Sequence, residues 1–316
     1  MSGAPARQED MPQGTHEGTY GGTPRRTLGD WLSAAAGRLQ AAGIDSARLD
    51  ARLLASFVLG WDQARVLAHP EQVLGGGEWS LLQSLLARRA KREPLAVIIG
   101  KCEFWGLDFA VTADTLVPRP ESETLIEAAL AVTGGQEGGR DADLSILDLG
   151  TGSGCLLLAL LSERPNARGL GVDLSAAALN VAAGNAVALG LEDRAEFGQS
   201  DWDHGLDGTV GRFDLILANP PYVADDEFTA LEPEISRFEP RLALSGGPDG
   251  LTSYRSLAPQ IGPLLAPGGG AFFETGAAQA GAVSALFDDH GLAVVCVHED
   301  LCGRPRVVEV QQVTDK

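Results

Sequence analysis

The sequence is poor in basic residues. It contains 24 lysines and arginines against 43 aspartates and glutamates, for a formal net charge of -19. Proteins that bind a nucleic-acid backbone tightly usually cluster Lys and Arg on one face. The acidic balance therefore argues against non-specific nucleic-acid binding. The local basic run Arg88, Arg89, Lys91 and Arg92 is typical of a solvated helix face.

The sequence also has few cysteines and histidines, and no long apolar run. None of its four cysteines forms a C-x-x-C pair, and no Cys/His cluster has the spacing of zinc ligands. This pattern predicts reduced thiols, no bound metal and a cytoplasmic location. No run of about 18 apolar residues is present, so we expect no membrane span. The N-terminus lacks a basic patch followed by an apolar core, so we expect no secretory signal.

The composition divides the chain into four parts. Residues 1–26 are rich in Gly, Pro, Thr and Gln and are expected to be a disordered tail. Residues 27–93 show apolar spacing typical of helices, beginning at a Thr27 cap and including a second helix that ends at Gly60, which predicts a small helical domain. Residues 94–115 are expected to form a β-hairpin linker, with strands at 95–100 and 103–111. Residues 116–316 are predicted to be a catalytic domain.

In this last part, helices and strands alternate. Strands are predicted at six segments: Ser145–Leu149, Arg168–Asp173, Phe213–Ala218, 271–274, 293–297 and 307–310. Such alternation indicates an α/β fold with a doubly wound, mostly parallel sheet. Because little chain separates the last two strands, we expect them to form an antiparallel pair at the sheet edge.

A glycine-rich turn follows the first of these strands. Glycines in such a turn allow a sharp change of direction and a close approach of the backbone to a ligand. The spacing is G-x-G-x-G, which differs from the dinucleotide pattern G-x-G-x-x-G. The candidate cofactor-binding residues of the turn are Gly150, Thr151, Gly152, Ser153 and Gly154.

Acidic residues accompany the turn. Asp173 ends the next strand, where a carboxylate can accept the ribose hydroxyls of a nucleoside. Asp148, beside the turn, would repel a pyrophosphate and suits a cationic ligand, which favours a sulfonium nucleoside without phosphates. Asp201 and Trp202 follow the next predicted strand region and are candidates for contacts with an adenine. A core tryptophan with a capping aspartate explains that pair equally well.

The tetrapeptide Asn219-Pro220-Pro221-Tyr222 directly follows a predicted strand. It should therefore face the same crevice as the glycine-rich turn. An amide nitrogen is a poor nucleophile, and two acceptors on its N–H groups would orient it and raise its electron density. The Asn219 side-chain oxygen and the Pro220 carbonyl can serve as these acceptors, and the prolines stiffen their placement. Tyr222 offers a flat face to a planar amide or base.

These features together predict methyl transfer from S-adenosylmethionine to an amide-type nitrogen, without a metal or a covalent enzyme intermediate. The alternative structural explanation is an ordinary proline-rich loop after a strand. The co-occurrence of the tetrapeptide, the turn and Asp173 in this order favours the catalytic interpretation.

The chain resembles the peptide-chain release factor N5-glutamine methyltransferases, the HemK-like family, over about residues 28–312. Besides the turn and the tetrapeptide, the similar segments are Val-Pro-Arg-Pro-Glu-Ser-Glu at 117–123, Arg-Phe-Glu-Pro at 237–240 and the closing stretch 300–308. Two positions depart from the family pattern. Ala96-Val97 stands where Gln-Tyr is common, and Ala280 stands where a Gly is usual.

The resemblance implies a class I, Rossmann-like methyltransferase fold with a seven-stranded sheet and a helical N-terminal domain that grips the substrate. It implies S-adenosylmethionine as cofactor, S-adenosylhomocysteine as product, and release factors one and two as partners, modified at the Gln of their Gly-Gly-Gln tripeptide. Asn219, Pro220 and Tyr222 would hold the glutamine amide, Pro221 would belong to the same substrate motif, and Phe104 would be a pocket wall.

Two other functions were weighed. A DNA or RNA amino-methyltransferase of the N6-adenine or N4-cytosine type shares the tetrapeptide, but that class usually adds a basic recognition domain, and this chain is acidic. A non-catalytic sensor of the adenosyl ligand would be favoured by loss of Asn219 or Pro220, and both are present.

Overall fold

The computed structural model describes residues 26–134, 139–202 and 212–313. The tail predicted for residues 1–26 lies, apart from Arg26, outside this part of the chain. Within the described part, no helix has the length and apolar character needed to cross a membrane.

A group of short helices opens the structure, as predicted. Thr27 caps the first helix by accepting a hydrogen bond from the Asp30 backbone N–H at 3.2 Å, and Gly60 ends the second in the left-handed conformation at φ 65°. Trp31 and Leu54 are fully buried in the core that these helices share. The helices are α1 Leu28–Ala41, α2 Ala47–Leu59, α3 Gln63–Ala68, α4 Gly76–Arg89 and α5 Leu95–Ile99.

The strand predicted at residues 95–100 is wrong, because this segment is helix α5. An apolar run of this length does not distinguish a strand from a buried helix turn, and its flanks decide the outcome. The Ile98 N–H donates to the Pro94 carbonyl at 3.0 Å, and Gly100 ends the turn at φ 77°.

The hairpin is therefore shorter than predicted. Its strands are β1 Lys101–Phe104 and β2 Leu107–Ala110, which pair antiparallel. Trp105 and Gly106 form the two-residue turn, with φ of 56° and 70°, as expected for a type I′ hairpin turn. This turn interrupts the single strand that was predicted over 103–111.

The basic run at the end of α4 and just beyond it also differs from its prediction as a solvated face. Arg89 is 6% exposed, and its guanidinium bonds to Asp50 at 2.6 Å and to Glu234 at 2.9 Å. Arg92 donates to the same Glu234 carboxylate at 2.7 Å. The helical group and the α/β part of the chain are thus connected by partly buried charge pairs.

The catalytic part is built on a seven-stranded sheet with the order β5-β4-β3-β6-β7-β9-β8. The first five strands in this order are parallel, and β9 pairs antiparallel with both β7 and β8. The predicted mostly parallel sheet with an antiparallel edge is confirmed. The strands are β3 Ser145–Leu149, β4 Arg168–Asp173, β5 Ala195–Gln199, β6 Phe213–Ala218, β7 Leu265–Glu274, β8 Leu292–Glu299 and β9 Pro305–Gln312.

Helices cover both faces of this sheet. Side chains alternate along β3, so that Ile146 packs into one core cluster and Leu147 into the other, as strand geometry requires. Leu157 lies in the first cluster and Tyr254 in the second. The helices are α6 Glu123–Gly134, α7 Cys155–Glu163, α8 Ala176–Leu189, α9 Pro233–Phe238, α10 Thr252–Leu264 and α11 Ala280–Asp288.

Candidate active site

A cavity of about 380 Å³ lies at the carboxyl ends of β3, β4 and β6. In an open parallel sheet this edge is where ligands bind. The predicted site residues in its lining are Gly150, Thr151, Gly152, Ser153, Asp173, Asp201, Trp202, Asn219 and Pro221. The structure therefore brings together most of the residues selected from the sequence.

The glycine-rich turn connects β3 to α7 and requires its glycines. Gly150, Gly152 and Gly154 have φ of 76°, 56° and 80°, in the left-handed region that other residues rarely adopt. Gly154 is absent from the cavity lining. A Cβ at this position would lie 3.1 Å from the Ala182 Cβ, so Gly154 allows α7 to pack closely against α8.

Asp173 organises the turn from the end of β4. One carboxylate oxygen accepts from the Gly152 N–H at 2.9 Å, and the other accepts from the Ser175 N–H at 2.8 Å. Each carboxylate oxygen has two acceptor positions. Asp173 thus orders the backbone and keeps acceptor capacity on the cavity side.

Asp148 is fully buried behind the turn. Its Oδ2 accepts from the Thr151 hydroxyl at 2.6 Å, whereas its Oδ1 has no partner within the described part of the chain. Burial raises the pKa of Asp148 to about 7. A buried carboxyl with an unused oxygen is a favourable neighbour for a cationic ligand.

Trp202 and Asp201 extend the cavity at the end of β5. The Trp202 ring lies over the turn, since a Cβ at Gly150 would be 3.5 Å from its Cζ3. Asp201 is exposed and Trp202 is partly buried. The ring contacts both the sheet core and the cavity, so its proposed cover over an adenine remains a prediction.

Asn219 belongs to two adjoining cavities. It lines the large cavity and also a second one of about 140 Å³, whose lining includes Tyr222 and Glu274. The Asn219 Nδ2 donates to the Ser122 hydroxyl at 3.3 Å. This bond uses the donor end of the amide and leaves the Oδ1 as an acceptor for another group.

The remainder of the tetrapeptide is held through its backbone. Ser253 donates to the Pro221 carbonyl at 3.1 Å, and Gln279 donates to the Tyr222 carbonyl at 2.9 Å. Pro220 is buried and lies in neither cavity lining. Burial raises the pKa of the Tyr222 hydroxyl to about 12, so this ring is neutral at physiological pH.

Phe104 is placed away from both cavities. It is 1% exposed and packs edge-on against Phe109 in the core beneath the hairpin. Neither described cavity includes it. The geometry gives no support to the predicted pocket-wall role of Phe104.

Two loops that were not predicted to line the site do so. One contains residues 113–119 with Ser122, and the other contains residues 240–245. Arg119 connects them through hydrogen bonds of 2.5 and 2.6 Å to the buried Glu239 carboxylate. Both loops overlap the segments on which the family resemblance rests. The resemblance is therefore the sequence signal that could have identified these loops as part of the site.

Comparisons with known proteins agree with this organisation. Family profiles described as "PrmC N-terminal domain" and "Methyltransferase domain" match residues 30–100 and 140–275. In fold, the chain is similar to the hMettl16 catalytic domain, solved in complex with MAT2A 3'UTR hairpin 6, with a TM-score of 0.53 and 16% identity over 73% of this chain and 82% of that chain.

Closer similarity is found among proteins named release factor glutamine methyltransferase. The protein from Rhodospirillum rubrum is 49% identical over 279 residues, which cover 88% of this chain and 83% of that protein. The protein from Bradyrhizobium diazoefficiens is 42% identical over 290 residues, which cover 92% and 94% of the two chains. At this identity and coverage, the chain belongs to the release factor glutamine methyltransferase family.

Proposed function

We propose that this protein transfers a methyl group from S-adenosylmethionine to the side-chain amide nitrogen of the Gln in the Gly-Gly-Gln tripeptide of release factors one and two. The observation that carries the proposal is the position of Asn219 at the junction of the two cavities. A cofactor in the large cavity and an amide in the small one would meet at this residue.

The large cavity suits a cationic nucleoside. The charged side chains in its lining are Asp114, Asp173, Asp201 and Arg119, and Arg119 is already paired with Glu239. Asp173 would accept the ribose hydroxyls, and the turn from Gly150 would approach the ligand closely. When bound, S-adenosylmethionine supplies an electrophilic methyl group and carries no phosphates that these carboxylates would repel.

The tetrapeptide would hold the substrate amide. The Asn219 Oδ1 and the Pro220 carbonyl would each accept one N–H of the target group, which fixes its orientation and raises the electron density on nitrogen. Tyr222, neutral and partly buried, would lie against the planar amide. The nitrogen gains the methyl group and loses one proton to solvent as or after the methyl moves. Positioning of the two reactants supplies much of the rate.

The helical domain would grip the release factor. It matches the profile of the family's N-terminal domain, and its Arg89 and Arg92 bond to Glu234 in α9, a helix that contributes Ile235 to the small cavity. A release factor held by this domain would therefore be positioned relative to the amide site.

A labelling experiment tests the proposal. Purified protein is incubated with methyl-labelled S-adenosylmethionine and either a release factor, the same factor with Gln→Ala in its tripeptide, or duplex DNA. We expect label on the wild-type factor alone. Label on the DNA would favour the nucleic-acid amino-methyltransferase, and label persisting on the Gln→Ala factor would contradict the proposed acceptor.

A further inference from the structure

A buried carboxyl group lies beside the tetrapeptide in the small cavity. Glu274 is the last residue of β7, and the preceding residue, Phe273, pairs with Ala218 at the end of β6. Glu274 and Asn219 therefore leave neighbouring strands at the same edge. The Glu274 side chain is 1% exposed, and its Oε2 has no hydrogen-bond partner among the described residues.

Ser122 connects this carboxyl group to Asn219. Its hydroxyl accepts from the Asn219 Nδ2 at 3.3 Å, and its side chain lies close enough to the Glu274 carboxyl to lower the pKa of that group. Ser122 is 3% exposed and precedes α6, so the three residues come from three separate segments.

The two ends of the Asn219 amide have the same shape and opposite chemistry. The Oδ1 accepts a hydrogen bond, whereas the Nδ2 donates one. A target amide nitrogen also donates, so the amide must present its Oδ1 to the substrate. Packing alone does not select this orientation, because the two ends have the same shape. The selection needs a neighbouring group that can only accept a hydrogen bond, or only donate one.

A serine hydroxyl that donates its proton to a carboxylate can act only as an acceptor toward a second partner. A carboxylate can only accept, so a hydrogen bond between Ser122 and an ionised Glu274 would use the single proton of the Ser122 hydroxyl. The remaining Ser122 lone pairs can then only accept, and they select the Nδ2 of Asn219. We propose that Glu274 and Ser122 are positioning residues that keep the Asn219 Oδ1 directed at the substrate amide, an inference that rests on the proposed function.

The charge on Glu274 controls this polarity. Burial raises its pKa to about 7, opposed by the Ser122 hydrogen bond and by Arg306 and Arg119, and reinforced by Glu121. Tyr222 and Tyr254 are the other titratable groups that interact with it, and burial raises their pKa values above the usual range. A protonated Glu274 can donate to Ser122, which frees the serine proton to bond to the Asn219 Oδ1 and permits the wrong orientation.

The test measures kcat, the KM for the release factor and the dissociation constant of S-adenosylmethionine between pH 5.5 and 9. In the wild type, kcat should fall as pH decreases through about 7. In Glu274→Gln and Ser122→Ala, kcat at high pH should be lower by about tenfold, the effect of losing one directing hydrogen bond. Both variants should lose this pH step, and Glu274→Gln, at a residue outside the lining of the large cavity, should keep wild-type cofactor binding.

Glu309→Gln is the matched control. Glu309 is a 3% exposed carboxyl on the adjacent strand β9, paired with His298 at 2.8 Å, and it lines neither described cavity. This variant should keep the wild-type profile of kcat against pH. If Glu274→Gln and Ser122→Ala kept it as well, the inference would be overturned.

A second readout is independent of the substrate. Selective 15N-asparagine labelling gives a side-chain NH2 signal for Asn219, assigned by its loss in Asn219→Ala. We expect this signal to shift with pH near 7 in the wild type and to remain constant in Glu274→Gln. A constant signal in the wild type would overturn the inference, even if no transfer to a release factor were observed. Absent transfer with a normal shift would instead count against the proposed function.

Discussion

At the scale of single residues, Asp148 is a buried carboxyl behind the glycine-rich turn that lines the large cavity. Its pKa is raised to about 7 by burial, so it is largely protonated below that pH and charged above it. One of its oxygens is already satisfied by Thr151 at 2.6 Å. The other oxygen has no hydrogen-bond partner among the described residues and carries negative charge when the group is ionised.

This predicts that cofactor affinity depends on pH. A cationic ligand favours the charged form of Asp148, so the dissociation constant of S-adenosylmethionine should decrease as pH rises through about 7. Calorimetric titration between pH 5.5 and 8.5 measures it. In Asp148→Asn the change over this range should be smaller, because this group no longer titrates. Equal pH dependence in both proteins would contradict the role of Asp148.

The residues that could be predicted from the sequence are those whose function depends on local spacing. The glycine-rich turn and Asn219 each follow a strand, and strand ends of a parallel sheet share one edge. Ser122 and Glu274 could not be found this way, because their roles depend on which strands and loops become neighbours. Phe104 shows the reverse case: the family resemblance implied a pocket wall, yet the side chain packs into the core.

At the scale of elements, α9 is held from outside its own domain. This six-residue helix is too short to be stable alone. Its Glu234 accepts from Arg89 at 2.9 Å and from Arg92 at 2.7 Å. Burial of Glu234 opposes its ionisation, but these two hydrogen bonds outweigh burial and lower its pKa. The position of α9 beside the small cavity therefore depends on the helical domain.

Removing the two arginine contacts of Glu234 should raise the KM for the release factor. We expect Glu234→Gln to raise the KM for the release factor by several-fold, because α9 loses a charged anchor, and to leave cofactor binding unchanged. The control is Glu232→Gln, since the Glu232 side chain is 73% exposed and 3.9 Å from Arg92, and exposed pairs contribute little. Steady-state kinetics measures the KM for the release factor in both variants, and only Glu234→Gln should differ from the wild type. Equal KM values for Glu234→Gln and the wild type would contradict the anchoring role of Glu234.

Helix α5 and the start of strand β7 were the least predictable features of the fold. Helix α5 replaces a predicted strand because Pro94 and Gly100 close a single turn, which an apolar run does not reveal. The sequence predicted a strand only from residue 271, because the Gly-rich stretch 268–270 is typical of a turn. Strand β7 begins earlier, at Leu265. In the structure, pairing with β6 keeps it extended. In β7, pairing with the neighbouring strand overrides the local preference of the glycines for a turn.

At the scale of the whole molecule, the chain combines an acidic composition with a fold similar to that of the hMettl16 catalytic domain. The formal net charge is -19, and the basic residues Arg89 and Arg92 are occupied by carboxylates. The mostly parallel pairing followed from the alternation of helices and strands. The fold alone does not select the substrate, which depends on the site and on charge.

The charge leads to a prediction about nucleic acids. We expect no binding to duplex DNA at physiological salt stronger than about 100 μM, the weak end of non-specific binding. Fluorescence anisotropy with a labelled duplex measures this, with a release factor as the positive control for the same protein sample. Micromolar binding that weakens steeply with salt would contradict the interpretation.

The central claim is that the Asn219 Oδ1 holds the amide that receives the methyl group. Its most direct test is the single-turnover rate of transfer to a release factor with saturating S-adenosylmethionine. Asn219→Ala should lower this rate by about 100-fold or more, as for other preorganised groups that stabilise a transition state, with cofactor affinity almost unchanged. The control Asn166→Ala removes an exposed amide bonded to the Asp141 carbonyl and should leave the rate at the wild-type value. An unchanged rate in Asn219→Ala would contradict the account.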